Sequence, residues 1–173
     1  TFHLSMTQIE HLQSQIIQES DLHVWVYKDD KEIDTEGFLS FLDDKERARY
    51  DQFAAPRKQR EFLVGRGFLK KTVGQYLDIT PQSIDIELSQ GGKPYLKNSP
   101  LQISLSHSNQ AFACAVGLKR AIGVDIESTD RKMRMGYLRH ACAPQERVYL
   151  KTLSPQAMKS RFMEIWSLKE SVW

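Results

Sequence analysis

The sequence predicts a mixed α+β fold with a strand-rich middle, and two changes of hydrophobic period carry that prediction. Phe62, Leu69, Val73 and Tyr76 recur at near-helical spacing. Ile84, Ile86 and Leu88, then Leu101, Ile103 and Leu105, alternate with polar residues as strands do. Met158, Phe162, Ile165 and Trp166 return to a helical stripe.

The elements follow in order. Ile9, Leu12, Ile16 and Ile17 predict a first amphipathic helix. Val24, Trp25 and Val26 predict a strand from His23 to Tyr27, because β-branched and aromatic residues pack well on a pleated surface. Phe38 to Phe41 leads to Asp43 and Asp44, N-cap candidates for a short charged helix running to about Phe53. Pro56 suits a first helical turn, where its missing N–H costs nothing, and that helix runs to about Leu77. Thr80-Pro81 stops it. Strands are expected around Ile84 to Leu88 and Leu101 to His107, with Gly91-Gly92 and Pro94 forming a tight loop between them. Phe112 to Leu118 reads as a strand buried on both faces. Lys119-Arg120 make a turn, Ala121 to Glu127 return as another strand, and a helix begins at about Gln156.

Composition sets the class. A chain of 173 residues is one domain or two small lobes sharing a core. Hydrophobic residues at 40% and charged residues at 27% describe an ordinary soluble globular protein. A net charge of +2 gives no polyelectrolyte character pointing to nucleic acid or membrane. The longest apolar run, Ala111 to Leu118, is far short of the roughly 20 residues a membrane span needs. Cys114 lies inside that run, so free thiols in a reducing compartment are expected for it and Cys142. With no basic-then-apolar start, a soluble cytoplasmic protein is expected.

Ile122-Gly123-Val124-Asp125-Ile126-Glu127 carries the first chemical signal. In a strand, Asp125 and Glu127 project side by side from one face, where like charges repel unless a cation sits between them. A solvated strand end is the ordinary reading of such a pair. The closing helix changes the balance, because Glu170 continues the stripe of Met158, Phe162 and Trp166 and should turn toward the core. Three carboxylates from a strand and a helix would suit a hard cation, Mg²⁺ best, since it takes one or two carboxylates with waters and substrate phosphates. No Cys/His cluster has zinc-ligand spacing.

His107 ends the Leu101–Leu105 strand between Ser106 and Ser108, a grouping that offers hydroxyl, imidazole and backbone donors to an anion. Between Lys45 and Lys71 stand nine Lys/Arg against three acids, which is either a solvated helix face or a phosphate-binding patch. Lys93 sits in Gly91-Gly92-Lys93-Pro94, where glycine permits close approach and proline stiffens the loop, so its amine has a fixed direction.

These segments stand in the order found in one family. Gly92-Lys93-Pro94-Tyr95, Ser104-Leu105-Ser106-His107-Ser108, Ile122 to Glu127 and the run Phe162 to Ser171 (with Trp166, Lys169 and Glu170) together resemble the 4'-phosphopantetheinyl transferases, in their larger surfactin-type (Sfp-type) branch. Arg60 to Arg66 looks like the basic helix upstream of them. The resemblance implies a pseudo-twofold fold of two similar α+β lobes, here 1–110 and 111–173, with coenzyme A in the cleft. It implies transfer of the phosphopantetheine arm of coenzyme A to a serine of an apo acyl or peptidyl carrier protein, with release of adenosine 3',5'-bisphosphate. Carried over by position, Asp125, Glu127 and Glu170 would hold Mg²⁺, with Glu170 a candidate base. His107 and Ser106 would meet coenzyme A phosphates, Lys93 and Pro94 the nucleotide end, and Arg49, Arg60 and Arg66 would be further coenzyme A contacts. A monomer is expected, and Arg131, Lys132, Arg134 and Arg139 form a basic edge where an acidic carrier would dock. The family pattern W-x-x-K-E-x-x-x-K runs one position past Trp173, so the second lobe is expected to be cut short. The competing expectations are a coenzyme A-binding scaffold without activity and a nucleic-acid surface on the basic helix.

Overall fold

The structure is a computed structural model that describes residues 2–3, 17–29, 35–131 and 135–172. The helix expected around Ile9 to Ile16 lies outside them. The fold is mixed α+β. Strands β1 (Phe2–His3), β2 (Leu22–Lys28), β5 (Leu101–Ser108) and β6 (Ala111–Leu118) form a sheet in the order β1-β2-β6-β5. A separate antiparallel pair, β3 (Ile86–Leu88) and β4 (Pro94–Leu96), lies between them in sequence. The helices are α1 (Glu36–Leu39), α2 (Asp44–Asp51), α3 (Pro56–Leu77), α4 (Met135–Ala141), α5 (Pro144–Lys151) and α6 (Pro155–Glu170).

Local chemistry sets these boundaries. Asp43 caps α2 by accepting from Glu46 N at 2.8 Å while Glu46 Oε2 accepts from Asp43 N at 3.1 Å, a reciprocal box that satisfies two otherwise orphaned donors. Pro56 opens α3, and Asp78 closes it in the left-handed conformation at φ 54°. β6 pairs along its length with β2 on one side and β5 on the other. Its residues Phe112 to Val116 are buried, as an apolar run without alternation predicts.

α3 packs Leu63, Val64, Phe68, Leu69 and Val73 into the same core as Trp25, Tyr27, Phe112 and Val116. Gly67 lets α1 settle on α3, since a Cβ there would lie 2.3 Å from the Phe38 ring. This first core draws on residues between Ile17 and Leu118. The lobe boundary expected after residue 110 falls in the β5–β6 turn, between two paired strands. A second, smaller cluster of Leu138, Cys142, Leu150, Phe162 and Met163 joins α4, α5 and α6, with Met158, Ile165 and Trp166 packed against it. Both cysteines are free and buried, and burial pushes the Cys114 thiol up to about 12. Among the described residues no helix is long and apolar enough to cross a membrane.

The strand expected from Ala121 to Glu127 is not one. Residues 121–128 join no ladder, and the reason lies in how they meet β5.

Candidate active site

Ser104, Ser106 and Ser108 occupy alternate positions of β5 and therefore share one face. The chain from 124 to 128 runs over that face. Val124 N, Ile126 N and Ser128 N donate to the hydroxyls of Ser104, Ser106 and Ser108 at 3.2, 3.3 and 3.3 Å. Hydroxyls standing out of the sheet thus replace the carbonyls of a neighbouring strand. Each hydroxyl can also donate. Ser106 donates to Asp125 Oδ1 at 2.8 Å and Ser108 to Glu127 Oε2 at 3.0 Å. Asp125 and Glu127 do come out side by side, on serine supports.

Helix α6 closes over the same segment. Ser167 donates to Asp125 Oδ2 at 2.6 Å. A Cβ on Gly123 would lie 1.5 Å from the Ser171 carbonyl oxygen, so only glycine permits this approach. Gly123→Ala should therefore lower stability by about 1–3 kcal/mol through forced backbone displacement, measured by denaturant unfolding.

Glu170 does not point into the core as its stripe predicts; it is exposed. Residues four apart drift by about 40° around a helix of 3.6 residues per turn, so three such steps from Met158 carry Glu170 off the buried face. Lys169 turns elsewhere, to Glu146 at 2.5 Å and to the Ala141 carbonyl at 2.8 Å. Among the described residues no group of three or more His, Cys, Asp or Glu side chains is gathered closely enough to hold a metal ion. The donor set that does assemble is Asp125 and Glu127, hard oxygens of the number Mg²⁺ uses when waters and substrate phosphates complete its shell. Glu127 already pairs with Arg131, whose guanidinium lies 5.4 Å from the Trp166 ring centre.

Beside this pair lies a cleft of about 320 Å³ whose lining includes Arg49, Phe62, Arg66, Gly92, Pro94 and His107. The Arg49 and Arg66 guanidiniums stand 5.6 and 5.8 Å from the Phe62 ring centre. Arg66 is held by Glu46 at 3.2 Å; burial lowers its pKa, Glu46 opposes that shift, and Arg49 adds to it. A second cleft of about 450 Å³, lined by Ser108, Glu127 and Arg131 among others, shares Lys58, Glu61 and His107 with the first. His107 thus stands where the cleft lined by Arg49 and Arg66 meets the cleft lined by Glu127. Its ring stacks on its cross-strand partner Phe112, with centroids 5.5 Å apart, and its Nε2 lies 3.7 Å from Glu61 Oε2. Partial burial raises the Glu61 pKa, but hydrogen bonds from Lys58 and Arg57 outweigh it and hold the carboxyl below its ordinary value.

Two expected contacts are committed elsewhere. Arg60 grips the buried Asp29 through two hydrogen bonds of 2.9 and 2.8 Å, anchoring the end of β2. The Lys93 amine donates to the Ile122 carbonyl at 2.5 Å, so its fixed direction is toward the carboxylate segment, while its neighbours Gly92 and Pro94 line the cleft. Of the basic edge, Arg131 is bound to Glu127, Arg139 is exposed, and Lys132 and Arg134 lie outside the described residues. Sequence reasoning missed Glu46, Glu61 and Ser167. Only Glu46 carried a legible signal, its place three residues after the Asp43 cap.

Comparison with known proteins bears on the same regions. The N-terminal family model of 4'-phosphopantetheinyl transferase matches residues 26–117, more than half of the chain, and the model of the superfamily matches 121–173. The 4'-phosphopantetheinyl transferase HetI of Nostoc sp. is 30% identical over 157 residues, covering 87% of this chain and 66% of that protein. The 4'-phosphopantetheinyl transferase of Bacillus subtilis is 28% identical over 131 residues, 73% of this chain and 56% of that one. The 4'-phosphopantetheinyl transferase gsp of Aneurinibacillus migulanus is 25% identical over 167 residues, 94% and 63% of the two chains. The chain spans between 56% and 66% of the length of these relatives. With matches on both sides of residues 118–120, the chain belongs to the 4'-phosphopantetheinyl transferase superfamily.

Proposed function

We propose that the protein moves the 4'-phosphopantetheine arm of coenzyme A onto a serine hydroxyl of an apo acyl or peptidyl carrier protein, in a Mg²⁺-dependent reaction that releases adenosine 3',5'-bisphosphate. The observation that carries this reading is the junction at His107 of a cleft holding Arg49 and Arg66 with a cleft holding Glu127. A nucleotide with several phosphates needs the first, and a diphosphate gripped through a divalent ion needs the second. Bound at Asp125 and Glu127, Mg²⁺ would neutralise charge on the diphosphate.

The chain's own residues supply the rest. Arg49 and Arg66 bind phosphate from the Phe62 side of the cleft, and His107 donates where the two clefts meet. Gly92 and Pro94 form the wall for the nucleotide end, with Lys93 holding their loop to Ile122. Arg60 acts on the cleft only through the fold. Ser106 acts through Asp125 rather than on phosphate. The attacking serine must lose a proton, and Glu170, exposed one turn beyond Ser167, is the base we assign. The exposed Arg139, beside Arg147 and Lys151 on a groove of about 590 Å³, is where an acidic carrier docks. We read the two hydrophobic cores as belonging to two lobes of a pseudo-twofold fold, in a monomeric cytoplasmic enzyme.

Incubation with coenzyme A, Mg²⁺ and a panel of apo carrier domains is expected to add phosphopantetheine to at least one of them, by intact-protein mass spectrometry, and chelation to stop it. Failure on every carrier would overturn the reading. Coenzyme A binding without transfer would favour the scaffold. The nucleic-acid surface is weakened where Arg60 is clamped to the buried Asp29 and Lys70 is buried against Glu46, which removes two cations from that face.

A further inference from the structure

We infer that Ser167, together with Ser106, is a positioning residue that fixes the Asp125 carboxylate for a divalent cation. The inference rests on the proposed cation-binding role of Asp125 and Glu127. The two oxygens of Asp125 are held from two different elements, Oδ1 by Ser106 on β5 at 2.8 Å and Oδ2 by Ser167 on α6 at 2.6 Å. An aspartate carboxylate turns freely about its last torsion, whose preferences are broad. Two donors from two directions remove that freedom. Each oxygen keeps a lone pair, so a cation can still be accepted.

Ser167 has an ordinary alternative that it does not take. A serine inside a helix commonly returns its proton to the carbonyl one turn back, which leaves it without an outside partner. Here its proton goes to Asp125. The backbone around it is held in place, because Gly123 receives the Ser171 carbonyl at a distance no side chain would allow. Ser106 is likewise oriented, since it accepts from Ile126 N while donating to Asp125. The arrangement ties the docking of α6 to the geometry of an acid on the far side of the interface. Groups that orient a metal ligand in this way typically change metal affinity by about 10- to 100-fold when removed.

The test uses Mn²⁺ as the probe, titrated into the wild-type protein, Ser167→Ala and Ser167→Thr and followed by the electron paramagnetic resonance of the free ion. Alanine is the better helix former, so the fold of α6 is not at risk. Ser167→Ala should weaken Mn²⁺ binding by about 10- to 100-fold, and Ser167→Thr, which keeps the hydroxyl, should restore it. In the transfer assay the Ser167→Ala deficit should shrink as Mg²⁺ is raised to saturation, which general loosening of the helix would not produce. Equal Mn²⁺ affinity in wild type and Ser167→Ala overturns the positioning role alone. Absence of Mn²⁺ binding by the wild type overturns the cation reading of the carboxylate pair, and the positioning role with it.

Discussion

Asp125→Ala is expected to reduce phosphopantetheine transfer by at least about 100-fold, the scale on which one preorganised electrostatic stabiliser acts. Asp125 is bound on both oxygens by residues of β5 and α6, and its loss removes one of the two carboxylates of the acidic pair. The fold should survive. The two hydroxyls left behind are partly solvated and can turn to water, so unfolding free energy should fall by no more than about 3 kcal/mol, the upper range for hydrogen bonds to a charged group. Transfer rates from mass spectrometry, set beside a denaturation curve, separate the two effects. A variant that transfers at the wild-type rate would remove Asp125 from the chemistry.

The largest loss of stability is expected elsewhere, at Glu46→Ala. Glu46 is 7% exposed and meets Lys70 Nζ at 2.6 Å and Arg66 Nε at 3.2 Å. Lys70 is fully buried, so without Glu46 its ammonium keeps, among the described residues, the Phe41 carbonyl at 2.9 Å. Removing one partner of a buried pair typically costs about 3–5 kcal/mol, because the other charge stays behind uncompensated. The α2 capping box is lost with it, since Glu46 supplies one of its two hydrogen bonds. For a chain of this size the melting temperature should drop by roughly 6–20 °C. Coenzyme A affinity should fall as well, because Glu46 orients Arg66 and sits on the helix that carries Arg49. A melting temperature within a degree or two of wild type would show that the buried cluster holds nothing together.

The sequence was most legible where one physical signal acted alone. The Asp43 cap, the proline at the start of α3 and the unbroken apolar run of β6 each name a local requirement that no tertiary contact overrides. Alternation misled at Ala121 to Glu127, because it reports which side chains share a face and not what the backbone pairs with. There the partner is a row of hydroxyls. The stripe that ends in Glu170 failed through helical drift, which a four-residue spacing hides. Arg60 and Arg66 looked equivalent in sequence, yet one clamps Asp29 and the other lines a cleft. Long-range partners separated them, and spacing carries no information about those. Arg49, Pro94 and His107 were expected together on a resemblance, and one cleft takes all three into its lining. The supports Ser167, Glu61 and Glu46 act by reaching across the molecule, which a linear reading does not show.

The row of serines along β5 has a genetic consequence. In an ordinary sheet the cross-strand bonds belong to the peptide backbone, and hardly any substitution except proline can delete one. At 104, 106 and 108 a single change of side chain removes one rung and leaves its neighbours in place. The seating of the acidic residues is therefore open to adjustment one codon at a time, without rebuilding the sheet beneath.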